Sequence, residues 1–468
     1  MRGSGLILLL IAGRGVLSAQ EVYTLGMCRD TALKYNHAVL VAAGEEARAR
    51  HESRAYFSRF LPEVSASGGY LYTTARLDRR LEEAYLPLYL PDPATGQLRP
   101  DVMLRPDGQP VIGADGNPVF NRYAYFPGLD ARLRPNNTCF AGVSVEQPLF
   151  AGGKIVAAYK MSRVGRDIAA LNARRARAEV IVATDEAYWL HVKALETKTV
   201  ALAFARVAGE LLRDVRDAVE TGMRTRNDLL KVQVQANRAA LQLQKAENAI
   251  RLSRLNLCRV MGLPLTTHLE VARELDEEAR PLLPAGAAIR PEYTLLEKQV
   301  ELKGEAVRLA RADFLPRVGV SVTYGYARGP EFNGAPLVDK ASFSALLSVK
   351  IPIFHWGEGV NKARAARNEK QVMAWQRDEW AGKMELEKQQ ALAALEESRV
   401  EERVNALALE QAEENMKVAR DRHEVGMETL AGYLEAQTLW QEAALALLES
   451  RVARCLNETY YLKATGAL

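Results

Sequence analysis

Long uncharged runs are missing from this 468-residue sequence. After residue 20 no stretch reaches the roughly 18 apolar residues that a spanning helix needs, which excludes a polytopic helical membrane protein. Cysteine is scarce. Cys28, Cys139, Cys258 and Cys455 are far apart, with no CxxC or paired Cys/His spacing. Neither a structural zinc site nor a disulfide scaffold fits that pattern. An excess of one charge is missing too. The 62 basic residues face 58 acidic ones, for a net charge of +4, so no nucleic-acid partner is expected.

Catalytic patterns are equally absent. His51-Glu52 and His423-Glu424 open like the zinc-protease pattern HExxH, but Ala55 and Met427 hold the fifth positions. Gly153-Lys154 lacks the earlier glycine of a phosphate-binding loop, because Pro148 stands there. With no acid–base, metal or nucleotide constellation, neither an enzyme nor a cofactor or metal is expected.

The first nineteen residues read as a segment of their own. Arg2 supplies a positive start, Leu6 to Ala12 a short apolar run, and Leu17-Ser18-Ala19 a small-residue cleavage site. A secretory signal over 1–19 is expected.

The rest of the chain is a tandem repeat. Arg59-Phe60-Leu61-Pro62-Glu63-Val64 returns as Asp313-Phe314-Leu315-Pro316-Arg317-Val318, an offset of 254 (314 − 60). Val145-Glu146-Gln147-Pro148-Leu149-Phe150 returns as Val349-Lys350-Ile351-Pro352-Ile353-Phe354, an offset of 204 (352 − 148). The second offset persists: Thr221-Gly222-Met223-Arg224-Thr225 matches Val425-Gly426-Met427-Glu428-Thr429, and Gly262 matches Gly466. One insertion between Pro62 and Pro148 explains the difference of 50 (254 − 204). The expected organisation is a first repeat over 20–280 and a second over 281–468.

Each repeat carries two strand signals. Val318, Val320, Val322, Tyr324 and Tyr326 alternate with small or polar residues, as do Phe343, Ala345, Leu347, Val349 and Ile351. Strands are expected at about 63–74 and 138–150, then 317–327 and 341–353. Apolar alternation bounded by tyrosines suits either half-buried hairpins or a membrane β-barrel. Between the first pair lies an enlarged loop, 75–137, expected on the surface with its own small hairpin at Asp107-Gly108 or Asp115-Gly116. Its carboxylates are too sparse for an EF-hand.

The remainder is helix. No proline interrupts Lys154 to Glu220, and Val200, Phe204, Val207, Leu211, Val215 and Val219 recur at spacings of three and four. Such a helix is about 100 Å long. Helical hairpins are expected over 153–262 and 357–466. The fold class is therefore mainly α with β: a tandem repeat of a strand pair plus a long helical hairpin. Four strands cannot close a membrane barrel, since the smallest need about eight, and open edges are costly in lipid. Several chains must combine, and three would give twelve strands. The alternative is a soluble periplasmic coiled-coil adaptor or scaffold.

The sequence resembles the TolC-like outer membrane efflux proteins of Gram-negative bacteria. The resemblance covers nearly the whole mature chain. It rests on the repeat, on Phe60-Leu61-Pro62 and Phe314-Leu315-Pro316, on the P-hydrophobic-F-x-x-G segments at Pro148 and Pro352, and on the turns at Gly222 and Gly426. Asn36-His37 departs from the usual asparagine–proline, whereas Arg290-Pro291 keeps the proline. The resemblance implies a homotrimer with a twelve-stranded barrel in outer-membrane lipid and a helical tunnel through the periplasm. A periplasmic adaptor would link the tunnel tip to an inner-membrane pump, and the conduit itself would be passive. It also implies that adaptors contact the turns at Gly222, Met223, Thr225, Gly426, Met427 and Thr429. Family members carry acidic residues at the tunnel mouth. Asp228 and Glu435 match those positions by spacing from the glycine, while a family aspartate falls on Gly432 here. Arg224, Arg226 and Glu428 flank the same aperture, where arginines near Glu428 could pair across protomers and hold the tip shut. The adaptor alternative fits less well, since adaptors carry one helical hairpin flanked by lipoyl-like domains.

Overall fold

Proline and glycine set where helix gives way to strand. The computed structural model describes residues 22–273, 275 and 290–468. The secretory segment expected over 1–19 and the repeat boundary expected near 280 lie outside the described residues. The chain forms two units. One comprises residues up to Tyr56 with Val156–Arg311 and Gly357–Leu468, the other Phe57–Ile155 with Ala312–Trp356.

The first unit is helical. It opens with the short strand β1 (Val22–Tyr23), then α1 (Leu25–Tyr35) and α2 (His37–Ser58). The long hairpins are α3 (Lys154–Glu220) with α4 (Arg226–Met261), and α6 (Glu358–Glu424) with α7 (Leu430–Thr465); α5 (Pro291–Ala312) lies between them in sequence, ahead of the strands of the second repeat. Both long helices have 67 residues and both return helices 36, so the two repeats match to the residue over each hairpin. The return helices end alike, at Gly262 and Gly466 in the left-handed conformation (φ 72° and 75°), which only glycine adopts cheaply.

The helical core is apolar and encloses a buried ion pair. Tyr188 and Val192 of α3 pack with Cys28 of α1, Leu257 and Met261 of α4, and Val452 of α7. Among them Asp185 is fully buried. Arg29 grips its carboxylate with two hydrogen bonds, at 2.7 and 2.5 Å, and the Thr459 hydroxyl donates a third at 2.6 Å. Three helices meet on this carboxylate. Burial, with Asp185 nearby, pushes the Cys28 thiol up to about 12, so it stays protonated.

Further along α3, His191 is buried with Nδ1 2.8 Å from the Ser253 hydroxyl of α4. Burial, reinforced by Arg254 and Arg273, lowers its pKa to about 4. An unfolded histidine titrates near 6.5. As pH falls from about 6.5 to 4, the unfolded chain takes up a proton that the folded chain refuses. Stability from this group is complete above the unfolded value and is lost across that window. His191→Gln should flatten the thermal-unfolding midpoint of the helical signal against pH between 6.5 and 4; a slope identical to that of the parent would refute the assignment.

The second unit is β-structured. β2 (Glu63–Leu71), β9 (Thr138–Ala151), β11 (Arg317–Arg328) and β14 (Asp339–Lys350) form an antiparallel sheet in the order β14-β11-β9-β2. Pro62 and Pro316 sit at the entrances, where a helix cannot continue. The register puts the apolar series on one face. Val322 opposes Ala345 and Val145, Tyr324 opposes Phe343 and Val143, and Val64 and Ala66 extend the row across β2. The opposite face carries Ser321, Thr323, Ser344, Ser144 and Ser65, with the Ser65 and Ser144 hydroxyls 2.7 Å apart.

The two proline segments end differently. β9 runs on through Pro148 to Ala151 because a bulge at Val318/Gly319 absorbs the extra residue. β14 stops at Lys350 rather than 353 and begins at Asp339 rather than 341, and Pro352 has no N–H to offer a ladder. β2 stops at Leu71 rather than 74; beyond it the Thr73 N–H donates to the Asn136 side chain at 3.2 Å.

The 75–137 segment is more than a loop with one small hairpin. It holds β3 (Leu77–Leu81), β4 (Ala84–Pro87), β5 (Tyr89–Pro91), β6 (Leu98–Pro100), β7 (Tyr123–Phe126) and β8 (Leu129–Arg134). These nest as β3–β8, β4–β7 and β5–β6, a folded arm. Two short strands of the second repeat, β12 (Glu331–Phe332) and β13 (Ala335–Pro336), join its base in the order β13-β12-β8-β3. The remaining strand, β10 (Glu270–Val271), pairs in parallel with β1 in the helical unit.

Candidate functional site

The two helix–helix turns are built by the same local rules with different side chains. In the first, Gly222 takes φ 78° and the Met223 and Arg224 N–H groups return to the Ala218 carbonyl at 2.7 and 3.1 Å. Thr225 then caps α4. Its hydroxyl accepts the Asp228 N–H at 3.2 Å, and the Asp228 carboxylate accepts the Thr225 hydroxyl at 2.8 Å and backbone N–H at 3.4 Å. The Thr225 hydroxyl, more than any neighbouring charge, holds the Asp228 carboxyl below its usual range. Asp228 is thus engaged in a capping box on its own chain.

The second turn lacks that aspartate. Gly432 stands 204 residues after Asp228 (432 − 228), and Thr429 caps α7 by accepting its N–H at 3.0 Å. Glu428 takes the vacated role: its carboxylate accepts the Thr429 N–H at 3.0 Å. It sits where a Cβ on Gly432 would fall. The substitution at 432 and the acidic residue at 428 are therefore one local arrangement, with the cap donor satisfied from the residue before instead of the third residue after.

The structure brings Arg224 to the second turn, though not to Glu428. Its Nη2 lies 3.2 Å from Nε2 of His423. Nδ1 of His423 is 3.1 Å from the Glu428 carbonyl. A carbonyl can only accept, so Nδ1 carries the proton and Nε2 is free to accept from the guanidinium. The imidazole also stacks on Tyr433, with centroids 5.4 Å apart at 21°. Glu210, Asp214, Arg420 and Glu424 line the adjoining cleft of about 460 Å³. Arg226 and Glu435 are exposed. Among the described residues neither arginine forms an ion pair with Glu428 or Glu435. Met223 and Met427 protrude at the apexes, 77% and 70% exposed.

His423 enters the sequence reading only as the start of a broken HExxH pattern, and Tyr433 carries no motif. A signal existed in the repeat itself: at the constant offset they replace Val219 and Leu229. Where one copy has half-buried aliphatic residues, the other places a ring pair. No three His, Cys, Asp or Glu side chains gather to hold a metal ion among the described residues.

The twin hairpins, strand pairs and glycine turns have counterparts in known proteins. The family described as outer membrane efflux protein matches residues 125–263 and 290–466. The chain belongs to the outer membrane efflux protein family. The alkaline protease secretion protein AprF of Pseudomonas aeruginosa is 31% identical over 240 residues, 48% of this chain and 48% of AprF; the likeness thus spans about half the length of that relative. The CmeC outer membrane channel of Campylobacter jejuni superposes with a TM-score of 0.74 at 18% identity, covering 94% of this chain and 85% of that one. The open-state MtrE outer membrane channel of Neisseria gonorrhoeae gives 0.72 at 17% identity, over 94% and 88%. At such identities the solved structures bear on the fold, which this efflux-family chain shares: mainly helical, with long helices and strand pairs.

Proposed function

We propose that this chain is the exit duct of a tripartite efflux or type I secretion system in the outer membrane of a Gram-negative bacterium. In this reading it is a passive homotrimeric conduit, joined by a periplasmic adaptor to an inner-membrane pump. The observation that carries it is the sheet. Its apolar face is uncovered, with Phe343 68% and Leu347 63% exposed, and among the described residues the outer edges of β14 and β2 have no neighbouring strand. A monomer in water does not leave such a face bare, and lipid does not tolerate such edges. Three copies closing edge to edge meet both demands. The stretch shared with AprF supports secretion beside efflux.

The helical unit then supplies the periplasmic tunnel, and the two turns its tip. The exposed Met223 and Met427, on rigid glycine turns with Thr225 and Thr429 behind them, are apolar knobs for the adaptor. Asp228, Glu428 and Glu435 lend negative charge to the aperture, where rings of carboxylates favour cations. Arg224 acts as a latch, holding the first hairpin to the second through His423. A hydrogen bond from a charged donor contributes about 1.5–3 kcal/mol. Arg224→Ser should therefore raise single-channel open probability about tenfold, while exposed Arg226→Ser should change it little. Unchanged gating in Arg224→Ser would remove the latch from the proposal.

A further inference from the structure

The two four-stranded sheets of the second unit follow the same strand order. β2 continues into β3, β8 into β9, β11 into β12 and β13 into β14. Accordingly β14-β11-β9-β2 in one sheet becomes β13-β12-β8-β3 in the other. The four linkers, 72–76, 135–137, 329–330 and 337–338, are short and mutually bonded. Thr73 N–H donates to the Asn136 side chain at 3.2 Å, and the Tyr70 hydroxyl to the Asn137 side chain at 2.8 Å. On the other side Gly329 N–H reaches the Val338 carbonyl at 2.9 Å and Leu337 N–H the Pro330 carbonyl at 2.8 Å. The two repeats are tied together above the linkers as well. Asn333 N–H donates to the Arg132 carbonyl at 2.9 Å, and Arg132 N–H returns to the Asn333 side chain at 2.8 Å.

The second sheet is also two-faced. Leu77, Leu133, Phe332 and Ala335 fall in one row, with Leu81 and Leu129 on the same face. Asp78 with Arg132, and Arg80 with Asp130, occupy the other. Its outer strands β3 and β13 are open edges, as β2 and β14 are.

We propose that the barrel wall continues beyond the first sheet as a collar shared between copies, with β3 of one copy seated against the β13 segment of the next. This rests on the trimeric channel reading. The occupant of the β3 edge is a second copy of this chain because of continuity. If β2 of one copy closes on β14 of its neighbour, pinned linkers of five and two residues carry β3 and β13 to the same seam. The strand directions agree: β3 leads away from the first sheet and β13 leads back towards it, so the new pair is antiparallel like every pair in the wall. The folded arm beyond β3 then rises from the collar rim once per copy.

Paired cysteines test the seam. In a Cys139→Ser background, Ser67→Cys with Ser344→Cys reports the β2–β14 edges, and Arg79→Cys with Ala335→Cys reports the collar. Each pair is treated with a short bismaleimide in intact outer membranes and read on denaturing gels. Both pairs should move most of the protein from monomer to covalent dimer and trimer, with no shift in any variant that carries only one of the two introduced cysteines. Linkage at the first pair with none at the collar pair, and none at a second collar pair, Arg80→Cys with Pro336→Cys, would overturn the collar and leave the channel reading standing. No linkage at either seam would overturn both.

Discussion

Replacing Asp185 by alanine should cost the folded chain about 3–5 kcal/mol, the penalty for stripping the partner from a desolvated ion pair. Asp185 is fully buried and accepts from Arg29 on α1 and Thr459 on α7. Its loss leaves a guanidinium whose side chain is only 25% exposed without the carboxylate that its two hydrogen bonds at 2.7 and 2.5 Å reach. Arg29→Ala should be comparably damaging, since it strands a buried carboxylate. The double change Arg29→Met with Asp185→Leu should recover much of the loss, because apolar packing replaces an ion pair at little net cost. Thermal or denaturant unfolding followed by helical circular dichroism measures all three. A loss under about 1 kcal/mol in both single variants would show that water reaches the site.

Gly262→Ala should be nearly as severe, at about 3 kcal/mol or more. Gly262 ends α4 at φ 72°, and a Cβ there would collide with the backbone carbonyl of Tyr35 at the end of α1. The fault cannot be relieved by a side-chain rotation, because both partners are backbone. Gly222 is the matched control. It has φ 78° with open space around it, so alanine there should cost only the left-handed strain, about 1–2 kcal/mol. Equal losses at the two glycines would mean that the Tyr35 contact gives way.

Much of this fold is legible because it is written twice. The offset of 204 carries the proline segments, the turn glycines and the C-terminal caps from one copy to the other, and uninterrupted helical spacing sets the long hairpins. The arm over 75–137 is not legible in the same way. Its strands are three to six residues long, too short for alternation to stand out, and their nesting depends on pairs up to 56 residues apart (133 − 77). At the tip, residue types and turn geometry could be read, but pairing could not. Arg224 meets His423 across 199 residues, and nothing local announces it. Gly432 reads as a missing acid in a sequence, whereas the structure shows Glu428 supplying the cap contact.

In the proposed channel three copies close the sheet into a barrel in the outer membrane. Planar-bilayer recording on detergent-extracted protein of known mass tests it most directly. A heat-modifiable trimer giving small, mostly closed single-channel currents is expected. A monomer that leaves the membrane fraction without detergent and inserts no channels would contradict it.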